Sequence, residues 1–273
     1  MPYFHQSSFK GALWGAVSGD YFSQNSHDCL FLNHDLNSFA PSLELAFVAI
    51  QNIVKNQAIN IKDLLLDWDN NHYSFNILTQ EQRAIALIPL ILYCYENPHK
   101  LEKYLQQIAT ELKMNDFNNQ SIFDLRLIFQ IILEKQSKFT SNKLLFSDSD
   151  KLKKIFYIYQ EKLSIEDVQQ QINNCYGSGE IAIYQAIYNF ISLPDYVELS
   201  LLRSTHFEHH KQSTAILTGC LLGLNNGYHS LPLSWRKYLQ LIPLVKDRNI
   251  EQISKAFVDT WEGKYTKNPL LQT

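Results

Sequence analysis

Ile181, Ile183, Ala186, Ile187 and Phe190 recur at helical spacing and leave residues 181–190 apolar around most of a helix. A helix without a polar face must be enclosed by other elements, so this segment demands a central position. Residues 214–224 form a second apolar run, and in it Gly219 and Gly223 share one helix face. That spacing is a device for close packing. Other segments follow the same period. Leu45, Val48, Ala49 and Ile53 mark one apolar face, preceded by Pro41 and Ser42 as a start. Leu152, Ile155, Phe156 and Tyr159 mark another, with Ser149 as candidate N-cap. Ser164 and Asp167 have capping-box spacing ahead of Val168 and Ile172. No stretch shows sustained strand alternation between hairpin turns. The expected fold is all-α.

The chain has 273 residues and is 45% hydrophobic, enough for one large core or two small ones. The polar connectors at 115–119 and 136–148 are short, and apolar helices resume on each side. Neither is read as a boundary, so a single domain over 1–273 is expected. Charged residues make up 19% and the net charge is -3, with no basic run, which argues against a nucleic-acid partner. Cys29, Cys94, Cys175 and Cys220 include no C-x-x-C pair, so neither a zinc knuckle nor a redox motif is expected. Cys94 and Cys220 sit in apolar runs and should be buried thiols. The apolar runs at 84–94 and 215–224 fall short of the roughly 20 residues a membrane span needs. No signal peptide is read at the start. The expected setting is cytoplasmic and reducing.

Residues 173–239 carry a helix at 214–224, then Gly227, Pro232 and Trp235. Near the start, GALWGAVSGDYFSQ places Gly11, Gly15 and Gly19 at four-residue spacing, with Asp20 next. Pro89 and Leu90 open a middle helix, and Trp68 follows the helix that starts near Pro41. In these features the chain resembles the ADP-ribosylglycohydrolase family, which implies a single orthogonal helical bundle of that type. The resemblance also shows losses. The family's Gly-Asp-x-Asp-Thr turn is matched by His210, Gln212 and Ser213. Its Thr-Asp-Asp-Thr turn falls within residues 39–43, which hold neither Asp nor Thr. Ser23 stands where the opening motif has Gly, and Ala86 stands where the middle helix has Arg. The Thr-His that follows in the family is replaced around Lys113 and Met114.

The resemblance implies a cleft in which two divalent cations, Mg or Mn, orient ADP-ribose and a water. Hard cations need oxygen ligands, mostly carboxylates. Their work is to polarise an oxygen and to lower the pKa of bound water. With the carboxylate turns gone, no metal ligand and no catalytic residue is assigned. The candidate cleft residues are Asp20, Tyr21, Gly177, Ser178, Glu180, His209, His210, Gln212 and Ser213. For each, an ordinary structural role is the competing reading. Asp20 can be a retained cleft acid or a brace between helices. The turn at 177–180 can bind phosphate through its N–H groups, or can be a close-packed turn whose acid favours the helix dipole. His206, Glu208, His209 and His210 can be a metal cluster, with His206 and His210 on one helix face, or a solvated cluster. His27, Asp28, Asn33, His34 and Asp35 form a polar loop that is either solvated or a substitute for lost cleft groups.

The expected function is a catalytically degenerate ADP-ribosylglycohydrolase-like protein acting as a binding or regulatory module. Tyr21, Phe22, Phe39 and Phe207 suggest a cleft filled by aromatic side chains, compatible with that reading. The alternative is an active metal-assisted ADP-ribosyl hydrolase with a rearranged His/Asp metal site. No cofactor is expected on the first reading, and Mg or Mn only on the second. ADP-ribose, another nucleotide or a protein is the expected partner, with neither nucleic acid nor membrane.

Overall fold

Helix follows helix throughout the computed structural model, which describes residues 2–25, 38–114, 119–134, 141–207 and 210–264. In chain order α1 spans Pro2–Gln24, α2 Pro41–Asn56, α3 Ile61–Asp69, α4 Gln80–Ala86 and α5 Ile88–Tyr93. Next come α6 Pro98–Glu111, α7 Gln120–Leu133, α8 Asp150–Gln160, α9 Ile165–Cys175 and α10 Ile181–Ser192. The last are α11 Val197–Ser204, α12 Lys211–Asn226, α13 Leu233–Leu241, α14 Pro243–Asp247 and α15 Ile250–Trp261. Among the described residues there is no strand. The all-α expectation holds, and no helix is long and apolar enough to cross a membrane.

Local chemistry accounts for the helix starts. Ser149 Oγ accepts from Leu152 N at 3.3 Å and begins α8. Ser164 Oγ accepts from Asp167 N at 3.2 Å and begins α9. Each satisfies an N–H that has no partner inside its helix. Pro41 occupies the first turn of α2, where its missing N–H costs nothing. The connector expected at 136–148 contains a 3-10 helix, Ser141–Phe146. Residues 115–118 and 135–140 lie outside the described residues.

Helix α10 is central: every side chain from Ile181 to Ile191 is buried. It packs on α12, which is buried from Ser213 to Leu224. Helix α12 also receives α1, and this contact sets the architecture. The pairs Gly11–Gly223, Gly15–Gly219 and Gly19–Ala215 face each other, stepping four residues at a time in opposite directions. A Cβ on Gly15 would lie 1.9 Å from Gly219 O, and one on Gly223 1.9 Å from Gly11 O. The two backbones are therefore in direct contact along their crossing. Past the end of α12, Gly227 (φ +77°) continues the close approach, with its Cβ position 2.5 Å from Ser7 Oγ. Phe9 of α1 packs against Phe257 and Trp261 of α15, with ring centroids 5.7 and 5.6 Å apart. Burying an aromatic side chain of this size contributes about 3 kcal/mol.

Candidate functional site

Helix α1 runs one turn beyond Asp20, to Gln24. That places Asp20 on the buried face, fully excluded from solvent, with Gln24 directly above it. The carboxylate accepts three N–H donors. Oδ2 accepts from Ala40 N at 2.8 Å. Oδ1 accepts from Gln24 Nε2 at 3.0 Å and from Gln212 Nε2 at 2.8 Å. Ala40 is the N-cap of α2, and Gln212 lies in the first turn of α12. Asp20 thus ties together the starts of α2 and α12. Burial pushes its pKa up, and the three donors oppose that shift.

A second carboxylate lies nearby. Glu44 is buried in the first turn of α2, and Arg248 Nη2 donates to its Oε2. Burial raises the Glu44 pKa first; Arg248 lowers it, and the neighbouring charge of Asp20 raises it again. The sequence reading named neither Glu44 nor Arg248. They are 204 positions apart, and nothing local in the chain marks them as partners.

A third buried acid, Glu81 of α4, meets His210: Nδ1 lies 2.8 Å from Glu81 Oε1. A carboxylate can only accept, so the imidazole donates and its Nε2 is left unengaged by Glu81. Glu81 Oε2 is buried without a hydrogen-bond partner. His210 itself is left-handed (φ 60°, ψ 22°) as the N-cap of α12, a conformation uncommon outside glycine and asparagine. The contact with Glu81 holds it there. His206 and His210 do not share a helix face: α11 ends at Ser204, and His206 lies exposed in the turn that follows. Glu208 and His209 lie outside the described residues, as do His27, Asp28, Asn33, His34 and Asp35.

The four aromatic residues singled out in the sequence are all buried. Tyr21 is buried and stands edge-on to Phe22 and Tyr238, at 5.3 and 5.6 Å between centroids. Phe22 packs on Trp235 at 4.2 Å, and Phe39 on Phe47 at 5.4 Å. Phe207 is buried as well. Ser213 is buried one residue after Gln212.

The turn at 177–180 joins a different cluster. Glu180 is the N-cap of α10 and pairs with Lys151 Nζ at 2.5 Å. Nearby, Tyr184 donates to Asp124 Oδ2 at 2.6 Å, and Tyr176 stacks on Tyr184 with centroids 4.0 Å apart. A Cβ on Gly179 would lie 2.9 Å from Gln80 Cβ, whereas one on Gly177 would meet only Glu180 Oε2, at 3.9 Å. Close packing explains Gly179 and not Gly177. Nothing in the structure explains Ser178.

The oxygens a hard cation would seek are those of Asp20, Glu44 and Glu81. Among the described residues, no group of three or more His, Cys, Asp or Glu side chains is arranged to hold a metal ion. The family model for ADP-ribosylglycohydrolase matches residues 78–267, more than half of the chain. The chain belongs to the ADP-ribosylglycohydrolase family. A search of curated proteins found no match. The match to the ADP-ribosylglycohydrolase family begins after α1 and α2, so Asp20 and Glu44 lie outside the matched segment, while Glu81, His210, Gln212 and Arg248 lie within it.

Proposed function

We propose that residues 1–273 form one ADP-ribosylglycohydrolase-like domain that is catalytically degenerate and acts in the cytoplasm as a binding or regulatory module. The observation that carries this reading is the Asp20 carboxylate, satisfied by Ala40 N–H and by the Gln24 and Gln212 amides. Two hard dications bring four positive charges and require several free carboxylates. Asp20 offers one, and its oxygens already accept from protein donors. Glu44 is balanced by Arg248, whose guanidinium would also repel a cation placed beside it. Glu81 is engaged by His210. Gln212 turns its amide nitrogen toward Asp20, and that nitrogen is a donor with no lone pair for a metal. The donor set does not fit the family's pair of cations.

ADP-ribose, another nucleotide or a protein is the partner this reading proposes, with no cofactor. The alternative, a rearranged His/Asp metal site, would have to use His210 through Nε2, with Glu81 orienting the ring. Among the described residues that is one ligand, and Asp20 is tied up with N–H donors. The test is release of ADP-ribose from an ADP-ribosylated protein in the presence of Mg or Mn. Release no faster than in a protein-free control is expected. Release that a chelator abolishes would overturn the reading.

A further inference from the structure

Helices α10, α11 and α12 converge on a set of buried donors. Thr214 Oγ1 of α12 donates to Gln185 Oε1 of α10 at 3.0 Å. Further along, Asn226 Nδ2 donates to Pro194 O at 2.6 Å, so the two helices run in the same direction. One turn past the first contact, Asn189 and Thr218 are therefore level with each other, 29 positions apart as Gln185 and Thr214 are. Helix α11 meets them there. A Cβ on Gly219 would lie 3.1 Å from Leu201 Cδ1, and Arg203 Nε donates to Asn189 Oδ1 at 2.8 Å.

The donors at this junction outnumber the acceptors. Asn189 Nδ2, Arg203 Nη2, Gln185 Nε2 and Thr218 Oγ1 are all buried without a hydrogen-bond partner. Asn189, Gln185 and Thr218 are fully excluded from solvent. Nε and Nη2 form one fork of the guanidinium, so the unpartnered Nη2 lies beside the Asn189 amide. Among the described residues no carboxylate pairs with Arg203; the Tyr188 ring lies against its guanidinium, 5.3 Å from centroid to Cζ. Burial disfavours its charge. A water bridging these donors would itself have to donate, and of the unpartnered atoms only Thr218 Oγ1 can accept. An anion accepts from every donor and also balances the guanidinium, whose burial without a counter-charge is costly.

We propose that Asn189, Arg203 and Thr218 hold a monovalent anion of halide size between α10, α11 and α12, as counter-ion to the guanidinium. The adjoining Phe190, Leu201 and Leu217 are fully buried, which limits the ligand to a small one. Arg203 is only half-buried, so the ion exchanges with solvent along its side chain. Occupancy fastens α11 to the α10–α12 pair and makes the stability of the fold depend on the anion present. The site uses none of the acids around Asp20, so it stands whether or not the cleft binds a metal.

Thermal unfolding of the full chain at constant ionic strength, with bulky gluconate replaced stepwise by chloride, tests this. A saturable rise in melting temperature of roughly 2–5 °C is expected once chloride exceeds its dissociation constant about tenfold. Asn189→Asp sets a fixed carboxylate against Arg203, at the present 2.8 Å contact, and removes Nδ2. It should be at least as stable as wild type in gluconate and should lose the chloride-dependent rise. Arg203→Gln should also lose the rise, and in chloride should melt below wild type. The opposite effects of the two variants on stability in gluconate and in chloride separate loss of the ion from misfolding. A wild type indifferent to chloride, or a rise of the same size in wild type and both variants, would overturn the proposal.

Discussion

Replacing Gly15 with alanine probes the contact on which the architecture rests. In an ordinary exposed helix this change is favourable by about 1 kcal/mol, because alanine loses less conformational entropy than glycine. Here the added Cβ would stand 1.9 Å from Gly219 O and 2.6 Å from Gly219 C. Both are backbone atoms, so no rotamer change relieves the clash. The helices must part by roughly 1.5 Å to restore van der Waals separation. The Gly11–Gly223 and Gly19–Ala215 contacts would then loosen together. Overpacking in a core costs about 1–3 kcal/mol when side chains can adjust, and a backbone clash should sit at or above the top of that range. After the propensity gain, a net loss of about 2–3 kcal/mol is expected. For a chain of 273 residues this lowers the melting temperature by roughly 4–12 °C. Paired thermal and urea denaturation of wild type, Gly15→Ala and Gly177→Ala would measure it. Gly177 has only Glu180 Oε2 within 4 Å of its Cβ position, so its variant should be neutral or slightly stabilised. A Gly15→Ala protein as stable as wild type would refute the backbone-contact account of the α1–α12 pair.

Gln212→Glu places a carboxylate against Asp20 and removes the 2.8 Å amide donor. It should destabilise the protein at neutral pH by about 1–3 kcal/mol and recover on acidification, as denaturation at two pH values would reveal. Burial raises the Asp20 and Glu44 pKa values above their unfolded values. The folded state therefore holds these protons more tightly, so their contribution is full below about pH 4 and is lost as pH rises through the raised values. The stability difference between wild type and Glu44→Gln should fall with pH across that window; a difference that rises would contradict the assignment. Burial pushes the Cys94 thiol to about 12 and leaves Cys220 higher still, so both should resist a thiol reagent at pH 8. Half-buried Cys175 should react first of these three, and mass-spectrometric mapping of the modified sites would show the order.

Much of the fold was legible because its causes are local. Ser149 and Ser164 act as N-caps at the expected positions, and the apolar run at 181–190 is enclosed on all sides. Both glycine stripes were visible in the sequence, but their pairing was not, since Gly11 and Gly223 are brought together only by the topology. The candidate site was legible in part for the same reason. Asp20 and Gln212 were both singled out, but the hydrogen bond joining them spans 192 positions. Glu44, Arg248 and Glu81 were missed because each looks like an ordinary surface residue of an amphipathic helix until its partner is known. His206 and His210 had helical spacing without helical structure: α11 stops at Ser204, and α12 begins only at Lys211.

The most direct test of the central claim, that protein donors occupy Asp20, Glu44 and Glu81, is a calorimetric titration of the chelator-stripped protein with Mn. The account predicts no saturable heat. Saturable binding at one or two sites per chain would contradict it, and loss of that binding in Asp20→Asn would place the metal at Asp20.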